Sequence, residues 1–321
     1  QRQMCIRDRY GRKVSLAGRL AKNKAAFELE RGHIRFANSE AILPNKKVLY
    51  ITGSLRKFYP GRWVEHMSHY QHLQKQKKFD TPVLLNMRHL SVGIDEKKNR
   101  KDADVDPKDF PVVNGVVKDL VFDGMSLGKL SMDMIHHKGG MKLNKLNIHS
   151  PDMDFNSSGR WGYSNRRNTS KLNVSLKSEN MGKLFKRLGF AAIIENGKSD
   201  IKGAINWSGS PFDFAVDRLH GNLRVYIKDG SIADVDPGAG RVVGLLSLSE
   251  LPRRLMLDFS DMFKKGLVFE EIKGNVTLKN GDAFTKGINV KSAVADVKLQ
   301  GRTGLVKRDY DQLVHVVPKV G

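Results

Sequence analysis

Gly124-Met125-Ser126-Leu127-Gly128 has the spacing of a nucleophile elbow, in which a serine sits on a tight strand-to-helix turn. That geometry needs a strand before the serine and a helix after it. Here Val116–Val121 and Lys129–Met134 both alternate apolar and polar residues, so Ser126 is expected in a hairpin. Ala192–Ser199 ends in Gly197-Lys198-Ser199 and echoes a phosphate-binding loop. Its first glycine is replaced by Ala192, and the order of elements is reversed: helix before, strand after. Gly238-Ala239-Gly240 with Gly244 resembles a dinucleotide fingerprint behind a strand at Ser231–Val235. Pro237 and the surrounding hairpin signals argue against the βαβ unit that fingerprint requires. His66, His69 and His72 are three apart on a polar helical stretch. Each such step turns a helix by about 300°, so His66 and His72 do not share a face. His136 and His137 are adjacent, and neither group has the cysteine or paired carboxylates that would complete a metal site. The reading therefore assigns no catalytic residue, no metal and no cofactor, and expects a protein that is not an enzyme.

The elements around these motifs are mostly strands. Period-two alternation runs through Asn222–Ile227, Asn275–Leu278 and Ala295–Leu299. It places Leu223, Val225 and Ile227, Val276 and Leu278, and Val297 and Leu299 on one apolar face. Lys171–Leu176 alternates in the same way through Leu172, Val174 and Leu176. Asp229-Gly230 and Asn280-Gly281 read as hairpin turns, since both turn positions need positive φ. Gly203, Gly221, Gly274 and Gly301 fall within or beside strands and read as bends or bulges. Amphipathic helices are expected at Glu179–Gly189, at Gly61–Phe79, and as a pair over Pro237–Glu250 and Leu251–Lys264. The charged stretch Lys97–Lys108 reads as a loop. The fold class is mainly β: an elongated, curved antiparallel sheet built from loosely repeating hairpins, with a few amphipathic helices.

Composition narrows the partners. The 321 residues carry 56 Lys and Arg against 34 Asp and Glu, a formal net charge of +22. That balance favours an anionic partner, either nucleic acid or an anionic surface. The three tryptophans at 63, 161 and 207 are scattered, and no aromatic-rich recognition signature stands beside a basic strand, so nucleic acid is the weaker reading. No apolar run approaches the roughly 20 residues that cross a bilayer, and no signal peptide opens the chain. Gln3–Arg9 reads like translated sequencing adapter, so native sequence is expected to begin near Tyr10, and the single cysteine, Cys5, says nothing about redox compartment.

A resemblance supplies what composition does not. Pro237-Gly238-Ala239-Gly240-Arg241, Gly244-Leu245-Leu246-Ser247-Leu248, Leu251-Pro252-Arg253-Arg254-Leu255 and Leu257-Asp258-Phe259 resemble the C-terminal region of the YhdP branch of the AsmA-like family. So do Ile272-Lys273-Gly274, Asp309-Tyr310-Asp311-Gln312 and Val317-Pro318. Upstream the similarity is looser, through Leu127-Gly128-Lys129-Leu130 and Gly159-Arg160-Trp161. The resemblance implies phospholipid transport between inner and outer membrane along an apolar β-groove. It also implies a periplasmic location, an N-terminal membrane anchor missing from this fragment, and partners among envelope proteins. The seven residues of the apolar face become expected groove lining. Residues 1–9 are then a non-native segment, 10–215 a β-groove repeat region with helical insertions and a charged loop near 97–108, and 216–321 the AsmA-like C-terminal region, truncated at its end. The alternatives are an RNA- or anionic-surface-binding module and a structural envelope scaffold.

Overall fold

The structure, a computed structural model, describes residues 2–7, 13–23, 26–60, 62, 81–93, 106–165, 167–189, 194–232 and 266–319. The strands are β1 Arg2–Arg7, β2 Lys13–Asn23, β3 Ala26–Phe36, β4 Leu49–Phe58, β5 Val83–Val92 and β6 Val113–Phe122. They continue as β7 Met125–His137, β8 Gly140–Ser150, β9 Met153–Ser164, β10 Arg167–Ser178 and β11 Ile194–Ser208. The last are β12 His220–Ile232, β13 Leu267–Lys279, β14 Asp282–Lys291, β15 Ala295–Gly304 and β16 Asp309–Pro318. They hydrogen-bond in sequence order as one 16-stranded sheet, so the protein is mainly β. Two compact units divide it. The first comprises residues 1–150, 157–170 and 208–213, the second residues 151–156, 171–207 and 214–321.

In the first unit β1–β2–β3 and β6–β7–β8 pair antiparallel. Between them β3–β4, β4–β5 and β5–β6 pair parallel, which departs from the antiparallel expectation. Parallel neighbours need a connection that returns to the starting end. The chain supplies three long ones, residues 37–48, 59–82 and 93–112. Periodicity alone does not report this, because a strand alternates the same way whichever direction its neighbour runs.

The first unit buries two apolar clusters. Leu49, Val83, Val113, Met134, Met141 and Trp161 form one; Met87, Val117, Leu120 and Leu130 form the other. His33 is buried on β3. Its Nδ1 lies 3.0 Å from Ile42 N and 3.1 Å from the Ile42 carbonyl oxygen, and its Nε2 lies 2.8 Å from Thr52 Oγ1. Burial, with the Arg35 charge, lowers its pKa despite the Ile42 backbone bond, so the ring is held neutral.

The second unit is antiparallel from β11 to β16. Its helix, α1 (Met181–Arg187), lies within the expected Glu179–Gly189 stretch and opens on Asn180, whose side chain accepts from Lys183 N–H. Met181 and Leu184 are buried, and Arg187 bonds Asp152 at 2.6 Å. Asn280 and Gly281 take φ of 51° and 83° between β13 and β14, the turn their sequence predicts. Asp229-Gly230 makes no turn. Asp229 has φ 57° inside β12, which continues to Ile232. Of the other expected elements, Gly61–Phe79 (apart from Arg62), residues 97–105 and the pair over Pro237–Lys264 lie outside the described residues. Residues Pro107–Asp109 form a 3₁₀ turn capped by Asp106.

The His33 environment fixes a pH dependence. A histidine with a lowered folded pKa leaves the unfolded chain the better proton acceptor, so stability is full above the ordinary imidazole value near 6.5 and declines as pH falls below it. Denaturation midpoints between pH 8 and 5 should fall for the wild type and fall less for His33→Gln; parallel curves would contradict the assignment.

Candidate functional site

Register brings the apolar residues of the second unit into rungs that cross its strands. Ile201 faces Val225, Val225 faces Gly274, Gly274 faces Ile288, Ile288 faces Leu299 and Leu299 faces Val314. The next rung runs Ile227, Ile272, Val290, Val297 and Val316. Directly opposed residues point to the same side of a sheet, so both rungs occupy one face. All seven expected residues lie on it: Val225 and Leu299 in the first rung, Ile227 and Val297 in the second. Leu223 faces Val276, and Leu278 faces Ala283. Leu223, Val276 and Leu278 also pack around Trp207 and Leu219, and Phe214 meets the Trp207 ring edge-on at 5.3 Å.

Ile201, Ile272, Ile288, Val290 and Val314 belong to this face but escape a search for simple alternation. The reason is local. β14 carries a bulge where its pairing with β15 shifts between Thr285 and Ile288. Phe284 and Ile288 are four apart, a spacing that unbroken alternation would put on one side. The bulge instead leaves Phe284 opposite Thr277 and Arg302 on the reverse face. A related slip crosses β12 at Asp229, so that Ile227, Gly230 and Ile232 are all buried. Gly230 is required there. A Cβ on it would come within 2.7 Å of the Phe269 ring and 3.0 Å of Glu195 O, and Phe269 is only 1% exposed.

The reverse face of the same strands is charged. Lys202 pairs with Asp200, Lys273 with Glu271 and Lys319 with Asp296, all within 2.9 Å. The Lys273 ammonium holds the Glu271 carboxyl below its usual range. Arg302 reaches Asp282 at 3.1 Å and Asp309 at 3.0 Å. The Arg302 guanidinium likewise lowers the pKa of Asp309. Exposed pairs of this kind contribute little stability each; their consequence is a face that stays in water.

The first unit has its own apolar face. Ile34, Ile51, Leu85 and Met132 share one rung with Gly115. Met87, Val117, Leu130 and Ile148 share another. One end is covered by aromatic rings. Phe110, which follows the 3₁₀ turn Pro107–Asp109, and Phe212, in a second 3₁₀ turn Pro211–Asp213, pack on Trp161 at 5.4 and 5.8 Å. Trp161 Nε1–H donates to Asn168 Oδ1 at 2.7 Å. Nothing in the sequence pattern marks these turns, because their residues pack far from their chain neighbours.

The motifs with catalytic spacing are placed as follows. Asp123 and Gly124 form the β6–β7 turn with φ of 47° and 81°, and Ser126 sits exposed in β7 opposite Val121. A strand follows the serine where an elbow needs a helix. Gly197, Lys198 and Ser199 lie within β11, with Lys198 paired to Glu179 at 2.8 Å. His136 and His137 are exposed at the end of β7, and His136 Nε2–H donates to Phe110 O. His66, His69 and His72, and the glycines at 238–244, lie outside the described residues.

A family model described as YhdP protein matches residues 72–321. The chain belongs to the YhdP family. It is 22% identical over 253 residues to the intermembrane phospholipid transporter YhdP of Escherichia coli strain K12, a match that covers 75% of this chain and 20% of that protein. The chain therefore spans about a fifth of the length of its YhdP relative. No solved structure matches. Among the described residues no helix is long and apolar enough to cross a membrane.

The fit between Gly230 and Phe269 gives a direct check on the face. Gly230→Ala should destabilise by about 1–3 kcal/mol through overpacking. Combined with Phe269→Leu it should cost less than the sum of the two single changes, because the smaller side chain vacates the clash. Strict additivity in urea unfolding would mean the two do not touch.

Proposed function

We propose that the chain is a segment of a phospholipid conduit between the inner and outer membranes, and that acyl chains lie on the apolar face of β11–β16. The observation that carries this reading is the division of that sheet. Val225, Ile227, Val297 and Leu299 share an apolar face with Leu223, Val276 and Leu278, while lysines and carboxylates hold the other side in water. The relative's name, an intermembrane phospholipid transporter, supports lipid as cargo and the cell envelope as location.

The energetics favour such a surface. Each methylene moved from water to an apolar contact gains about 0.8 kcal/mol, so a sixteen-carbon acyl chain left in water costs about 12 kcal/mol. Strands repeat every ~4.8 Å along a rung. A tail that leaves one strand as it reaches the next never exposes its full length, and no soluble intermediate is needed. Leu223, Val276 and Leu278 contribute in a second way, by anchoring the face to Trp207 and Leu219. The reading assigns no chemical step to any side chain, and places the chain on the periplasmic side of an anchor carried elsewhere in the protein.

Photo-crosslinking tests the assignment at neighbouring positions. A benzophenone amino acid at Val225 or Val314 should capture phospholipid, while the same probe at Arg224 or His315, one residue away on the other face, should stay at background. Equal yields at all four sites would overturn it, as would salt-sensitive RNA binding by a chain that carries no lipid. Val297→Asp should abolish capture at Val225. A melting transition that is also lost would assign Val297 to a closed core. Ser126→Ala should leave both lipid capture and the melting temperature unchanged; loss of either on that change alone would give the serine a role this reading denies it.

A further inference from the structure

The charged face of the second unit contains a cavity of about 830 Å³, lined by Asn275, Thr277, Phe284, Thr285, Lys286, Gln300, Gly301, Arg302, Asp311 and Leu313. It lies across β13–β16 where the bulge in β14 opens the pairing between Thr285 and Ile288. Register puts Thr277, Phe284, Arg302 and Asp311 in one line across the four strands. This is the side opposite the apolar rungs.

The charges in this cavity are unequally committed. Arg302 is held by Asp282 at 3.1 Å and by both carboxylate oxygens of Asp309 at 3.0 and 3.1 Å. Its charge is answered within the protein. Lys286 and Asp311 are both exposed, and neither takes part in an ion pair among the described residues. They sit on β14 and β16, two strands apart, which is about 9–10 Å at ordinary strand spacing. Between them, on β15, lies the Gln300 amide. The Asn275 amide lines the cavity from β13, where Thr277 donates to Asn222 Oδ1 at 2.9 Å; Thr285 donates to Asn275 O at 3.0 Å. Phe284 and Leu313 form an apolar wall. They are 38% and 61% exposed, more than a packed sheet face needs and enough to hold the first carbons of a chain.

One free cation, one free anion, a neutral amide between them and two exposed apolar side chains in the same cavity together describe a zwitterionic amphiphile. We infer that this cavity binds the phosphoethanolamine headgroup of a phospholipid, with the phosphodiester at Lys286, the ammonium at Asp311 and the glycerol end against Phe284 and Leu313. An anionic headgroup would meet the carboxylate of Asp311 with nothing to offset it, so the cavity should discriminate. A nucleic-acid strand is disfavoured by the same carboxylate, which repels its phosphates. The inference shares with the proposed function only the identity of the cargo. It concerns the other side of the sheet and can fail independently.

The test uses the whole chain and short-chain lipids below their micellar concentration, titrated by calorimetry. Dihexanoyl phosphatidylethanolamine should bind about tenfold more tightly than dihexanoyl phosphatidylglycerol, the worth of one charge-assisted hydrogen bond. Asp311→Asn should bring the two affinities together, and Lys286→Ala should weaken both. O-phosphoethanolamine, which has no acyl chains, should bind more weakly than the lipid, and Phe284→Ala should remove that advantage. Equal wild-type affinity for the two headgroups would overturn the inference without reference to any variant. So would O-phosphoethanolamine binding as tightly as the lipid, or an Asp311→Asn protein that keeps its selectivity. Crosslinking at Val225 is expected to be unchanged in Asp311→Asn. A failure of the apolar-face reading would leave headgroup selectivity standing, and the two results can be told apart.

Discussion

A slip of one residue in the pairing of β12 with β13 would turn Leu223, Val225 and Ile227 toward the side that carries Lys273 and Glu271. The apolar face of β11–β16 depends on that slip not occurring. Side chains in a strand alternate with a period of two, so register and burial are one variable. Leu223 opposite Val276 and Ile227 opposite Ile272 hold the register from one side. Arg224 and Lys228 penalise error from the other, because the slipped state would turn both charges onto the apolar face.

The same constraint explains why irregularities occur where they do. A strand that followed the alternation without interruption over the length of β12 or β13 would fix every residue to one side. Asp229, with φ 57°, moves Gly230 and Ile232 to the side already occupied by Ile227, and Phe269 fills the space above Gly230. In β14 the bulge does the reverse: it takes Phe284 off the apolar face and opens the cavity beside Lys286. One of these departures completes a core and the other interrupts an otherwise paired charged surface. Both use a single extra residue.

Much of this was legible in the sequence. The seven residues picked by alternation share one side of the sheet, Asn280-Gly281 turns as its type requires, and the helix after Glu179 forms. What escaped follows from non-local causes. Asp229-Gly230 carries the same local signal as Asn280-Gly281, yet its positive φ serves a bulge, because β11 and β13 both continue past it and hold β12 extended. Ile272 and Ile288 were hidden beside glycines and a phase shift. The direction of β3–β6 depends on long connections whose path is not written in strand residues. The rings of Phe110 and Phe212 find Trp161 only after the chain has folded.

The three parallel pairs of the first unit bear on the order in which the sheet assembles. The turns after β6, β7, β13, β14 and β15 are short, so those strands meet partners only a few residues away, and the entropy lost in closing each loop is small. The pairs β4–β5 and β5–β6 must wait for long stretches of chain to double back before any hydrogen bond forms. Two local ladders, one around β6–β8 and one around β13–β16, are therefore ready to zip early. The strands β4 and β5 are added last, on an edge that β6 has already prepared. For a chain that leaves the ribosome from its N-terminus, that edge appears only after β4 and β5 have emerged, so those two strands spend longest without a partner and are the ones a chaperone would have most cause to hold.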